Sequence, residues 1–114
     1  HHATERQREE AEREAQQRVR QAREQAAARA QYLDSLVGRE PELWQQVDTL
    51  IAAMRAKEYD EAVPLLIDLR DLAARSGGAD AFEGKVRRIR DTYPTRQGLL
   101  KRLSLAGLGG RSQA

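Results

Sequence analysis

Apolar residues recur at helical spacing through five successive stretches of this chain, and the pattern predicts an all-α fold. From Thr4 to about Leu36 the first stretch places Ala11, Ala15, Val19, Ala22, Ala26, Ala30 and Leu33 on one stripe, with Val37 just beyond. The spacing repeats every 11 residues, about 3.67 per turn, which suits a straight or slightly right-handed helix. A seven-residue repeat would put Arg29 in the seam. Thr4 with Gln7 has the form of a capping box. Glu9–Arg13 and Glu14–Arg18 are (i, i+4) pairs in the favourable order. Such a helix is about 48 Å long at ~1.5 Å per residue.

Gly38 and Pro41 mark a break, since glycine suits a helix C-terminus and proline the first turn of the next. A second helix is expected from Pro41 to Lys57, with Leu43, Val47, Leu50 and Met54 inward and Trp44 and Ile51 beside them. A third runs from Asp60 to Ser76 on Ala62, Leu66, Leu69 and Ala73, widened by Leu65 and Leu72. Pro64 is tolerable only in a first turn, which sets that start. Asp80 with Glu83 opens a fourth helix, on Phe82, Val86, Ile89 and Tyr93, that Pro94 ends. A fifth follows Thr95, with Leu99, Leu100, Leu103 and Ala106 inward. The expected organisation is a long helix over 1–37, a compact four-helix body over 38–108, and a disordered, glycine-rich tail over 109–114. A body this small is marginal alone, so Tyr32, Leu33, Leu36 and Val37 are expected to help close it.

Composition agrees with this pattern. The chain holds 18 Ala and 13 Leu against 12 Val, Ile and Thr together, a helix-forming balance. It is 33% charged and 39% hydrophobic, which limits the core it can build. No apolar run approaches the ~20 residues of a membrane span. There is no cysteine, so disulfides, thiolate nucleophiles and cysteine-based zinc sites are excluded; a cytoplasmic setting fits. The only histidines, His1 and His2, read as a tag remnant.

The net charge of +2 is unevenly laid out. Residues 1–30 carry seven Arg and six Glu; residues 31–83 carry five basic and eleven acidic groups; residues 84–114 carry eight basic groups and Asp91. Lys85, Arg88, Arg96, Lys101 and Arg102 could form one basic surface. Three readings stand for it: charge matching with the acidic middle helices within or between molecules, plain solvation, or nucleic-acid contact through counterion release. The alanine stripe has alternatives too: a solvated, charge-stabilised helix, or a self-association face. Its arginines are matched by glutamates, which disfavours a nucleic-acid arm.

Candidate chemistry is sparse. Catalysis needs a positioned base, nucleophile or metal, and no nucleophile-elbow or phosphate-loop motif occurs. Asp60, Glu61, Asp68 and Asp71 could gather as carboxylates, but lack EF-hand or Glu-x-x-His spacing. Asp68 and Asp71 read as a solvated face near Arg70 and Arg75. Trp44 and Tyr59 read as packing residues. The pattern implies no cofactor, no metal site and no catalytic residue.

Lys57-Glu58-Tyr59-Asp60-Glu61-Ala62-Val63 resembles the inter-helix turn of tetratricopeptide repeats, in which a Tyr and an Ala three residues on lock two helices together. It departs from an array in having Glu58 where a small residue is usual, no second copy, and Pro64. Tyr59 to Val63 with Leu65-Leu66, Asp68 to Ala73, Phe82 with Val86 and Ile89-Arg90, and Leu99 to Leu103 with Ala106-Gly107-Leu108 together resemble the C-terminal helical segment of bacterial SWIM zinc-finger family proteins. That resemblance spans Trp44 through Leu108. The family's zinc motif cannot be present without cysteine. What the resemblance implies is a tetratricopeptide-like helical region that mediates protein contacts. The expectation is therefore a non-enzymatic interaction or self-association module, most simply a homo-oligomer through the first helix. A nucleic-acid-binding accessory domain is the alternative.

Overall fold

The computed structural model describes residues 2–109, the side chain of His2 excepted. Five helices account for most of them: α1 (His2–Leu36), α2 (Glu40–Ala52), α3 (Ala56–Ser76), α4 (Ala79–Thr92) and α5 (Gln97–Leu105). No strand occurs among the described residues, so the fold is all-α with a long N-terminal helix. The chain divides into two units, His1–Ser35 and Leu36–Ala114.

The first unit is a single helix. Every residue from 3 to 28 is exposed, so its order rests on the backbone ladder, on helix-forming Ala, Glu, Gln and Arg, and on weak surface pairs. Glu9 and Arg13 stand 4.0 Å apart. The Arg29 guanidinium lies 5.9 Å from the Tyr32 ring centre. Helical geometry begins at His2, so Thr4 lies within the first turn and does not occupy the cap position its sequence context suggests.

In the second unit α3 is the hub, packing on α2, α4 and α5. It buries Tyr59, Ala62, Leu66, Leu69 and Leu72. Leu43, Val47 and Ile51 of α2, Phe82, Val86 and Ile89 of α4, and Leu99 and Leu103 of α5 pack into the same core. Pro41 stands in the first turn of α2, where its missing N–H costs nothing.

Several sequence expectations are corrected. The second helix stops at Ala52, not Lys57, and Met54 turns outward at φ 57°. Met54 is therefore exposed, and Ile51 takes the place on the core face expected for Leu50 and Met54. The third helix starts earlier, at Ala56, behind an extended Arg55. Arg55 reaches forward to Glu58 through Nε–Oε1 and Nη2–Oε2 contacts of 3.2 and 3.3 Å. Pro64 consequently lies inside α3, which local rules discourage. Pro64 and Asp60, whose carbonyl loses its usual donor, are both exposed, so water can satisfy that oxygen. The fourth helix begins at Ala79 with Gly78 as its cap, and Asp80 sits in the first turn instead of capping it. Of the residues expected to help close the core, Leu33 and Leu36 are buried while Tyr32 and Val37 are exposed.

The largest correction is at the C-terminal end. Leu108 N–H donates to the Leu103 carbonyl at 2.8 Å and Gly107 N–H to that of Ser104 at 3.0 Å, the paired bonds of a Schellman motif. Gly107 holds the left-handed φ of 75° that this motif requires. Leu108 is fully buried, and its carbonyl accepts from Arg90 Nη2 at 2.8 Å. Gly109 follows at φ 63°, and a β-carbon there would stand 2.6 Å from Val86 Cγ1. Residue 109 is thus closely seated on α4 and does not begin a disordered tail; residues 110–114 lie outside the described residues.

Candidate interaction surfaces

On α1, the stripe residues Ala11, Ala15, Val19, Ala22, Ala26 and Ala30 are all exposed, and Leu33 is buried. Val19 is the largest apolar side chain of the exposed part, at 51%. Alanine contributes little buried area but lets a second helix approach closely, while Val19 supplies the one larger contact near the middle.

The basic residues of the C-terminal helices occupy different settings. Arg102 on α5 donates Nε–H to Asp60 Oδ1 on α3 at 2.6 Å and Nη1–H to the Gly98 carbonyl at 3.0 Å. Its guanidinium also lies 6.0 Å from the Tyr59 ring centre. The bond to Asp60 raises the Arg102 pKa above its ordinary value, opposed by partial desolvation, so this guanidinium stays charged far into the alkaline range. Arg96, in the α4–α5 connection, directs Nη2 at Met54 Sδ. Lys85 Nζ sits 5.0 Å from the Trp44 ring centre, a cation–π distance. Arg88 and Lys101 are exposed. Charge matching between a basic and an acidic helix is thus realised within the molecule by Arg102 with Asp60.

Lys85 and Arg88 share a groove between α2 and α4, of about 250 Å³, floored by Ile51 and Ile89 and walled by Trp44 and Asp48. Trp44 is only half buried, tilted against Phe82 at a ring separation of 5.8 Å. It is a wall of the groove as well as a packing residue, a role its sequence position did not reveal. The volume lies below the ~300–1,000 Å³ of sites that enclose a drug-sized ligand. A groove of this size suits a single side chain.

Asp68 departs from expectation. It is buried, at 6% exposure, where its sequence context suggests a solvated face. The signal was available: Asp68 lies three residues after Leu65 and four before Leu72, within the inward arc of α3. Asp71 pairs with the adjacent Arg70 Nε at 3.1 Å. Among the described residues no three His, Asp or Glu side chains gather as a metal cluster, and no helix is long and apolar enough to cross a membrane.

Fold and surfaces define an all-α protein built as one long exposed helix and a four-helix unit. No family model, curated protein or solved structure matches this chain.

Proposed function

We propose that this chain is a non-enzymatic, cytoplasmic interaction module that associates with a second copy of itself through the α1 stripe. The observation that carries this reading is the uncovered row from Ala11 to Ala30 on a helix of 35 residues. A row of small residues at one face favours close helix–helix approach. Its near 11-residue period keeps the row facing a partner along a straight helix. The arginines and glutamates of residues 1–30 are nearly balanced, so two copies meet without strong net repulsion. The resemblance of Trp44 through Leu108 to a helical segment of SWIM zinc-finger family proteins supports protein contact in the same sense.

Light scattering on a sizing column tests this. The mass should rise toward a dimer with concentration, and Val19→Glu combined with Ala22→Glu should return it to a monomer. A wild-type monomer at millimolar concentration would sink the proposal.

Nucleic-acid contact is the second reading. It is favoured by Lys85 and Arg88 standing together at the rim of one groove.

A further inference from the structure

Met54 is the only methionine in the chain. It stands in the α2–α3 connection at φ 57°, a left-handed conformation that side chains other than Gly, Asn and Asp seldom adopt. The residue is 41% exposed, which leaves it open to an oxidant in solution. Arg96 meets it from a position 42 residues away, with Nη2 2.8 Å from Sδ. A thioether is a weak acceptor, so the guanidinium holds a poor partner at a place where a good one would join two connections of the fold.

We propose that Met54 is an oxidation site whose sulfoxide is captured by Arg96, clamping the α2–α3 connection to the α4–α5 connection. A hydroperoxide supplies the oxygen. A sulfur lone pair attacks the terminal peroxide oxygen and the O–O bond breaks. The attacked oxygen gives its proton to the departing hydroxide; with hydrogen peroxide the products are methionine sulfoxide and water. Sulfur loses two electrons and the peroxide gains them. The new S=O oxygen accepts from a charged donor already in place, and charge-assisted bonds are about twice as strong as neutral ones. Sulfoxide formation ordinarily destabilises a protein by placing a polar group in a core. Met54 is outside the core, so here the sign reverses. Capture also withdraws Arg96 from the basic residues available to a partner.

The test uses the full chain, with hydrogen peroxide as oxidant and Trp44, the single tryptophan, as the fluorescence reporter of unfolding. Mass spectrometry should find one added oxygen in the wild type and none in Met54→Leu. Oxidation should raise the wild-type melting temperature by roughly 2–5 °C, a fraction of the ~4–8 °C per kcal/mol of a domain this size. Reduction by a methionine sulfoxide reductase should reverse the rise. In Arg96→Ala, whose own baseline serves as reference, oxidation should give no rise. An unchanged or lower melting temperature in the oxidised wild type, or an equal rise in Arg96→Ala, would overturn the proposal.

Discussion

Replacing Pro64 with alanine asks how much stability α3 gives up to its interior proline. Pro64 is the ninth residue of a helix that begins at Ala56, past the first turn, where a missing N–H would cost nothing. The ring removes a hydrogen bond to the Asp60 carbonyl and crowds that oxygen, and host–guest values put Pro about 3 kcal/mol below Ala in a helix interior. One feature reduces that figure here: Pro64 and Asp60 are exposed, so water can replace the lost donor. The residue is exposed, so alanine forfeits little packing. The net expectation for Pro64→Ala is a gain of about 1–2 kcal/mol, or roughly 4–16 °C in melting temperature. Thermal and urea unfolding followed by Trp44 fluorescence measure it. The opposing possibility is mechanical. Buried residues lie on both sides of the proline, Tyr59 and Ala62 before it and Leu66, Leu69 and Leu72 after, and a straighter helix would misplace one set. An unchanged or lowered stability would therefore refute the reasoning and show that α3 requires the geometry proline imposes.

Gly109→Ala should cost about 2–3 kcal/mol in the same unfolding assay, because it combines the ~1–2 kcal/mol of a left-handed backbone with a contact against the fully buried Val86. Gly107→Ala should cost only the backbone part, about 1 kcal/mol, since nothing lies within 4 Å of its added carbon; equal costs would argue against the seating of Gly109 on α4. For nucleic acid, contact through Lys85 and Arg88 at their shared groove predicts a slope of log affinity against log salt near −2 on duplex DNA, at about 0.9 per phosphate contact. All five basic residues acting together would give about −4.5, and no salt dependence would dismiss this reading.

The helices themselves were legible because their signal is local and repeated. Rows such as Phe82, Val86 and Ile89, or Leu99 and Leu103, recur at the period of an α-helix and can bury one face only if helical. Starts and stops were less legible because several local rules compete there. Thr4 and Asp80 both have capping-box neighbours, yet helical geometry begins ahead of each. The local preference of Pro64 points to a helix start, but the row through Ala62, Leu66 and Leu69 already demands a helix on both sides of it. Burial of that row outweighs one missing hydrogen bond on the solvent side.

Contacts between distant residues were illegible for a different reason. A regional charge tally finds an acidic middle and a basic end, but it cannot say which cation meets which partner. In the folded unit Arg102 bonds to Asp60 and Arg96 to Met54, each across 42 residues, while Lys85 settles over Trp44. Those three pairings depend on helix packing that no stretch of sequence encodes alone. A cation held by a carboxylate or a ring has already lost part of its hydration and gains less from a phosphate. The same arithmetic applies to the glycines near the end. Counted, they suggest a tail; placed, Gly107 closes α5 and Gly109 lets the chain lie against Val86. The stripe on α1 is the converse case. Its residues are legible as a face, and the exposure of Ala11 through Ala30 leaves that face open to a second chain.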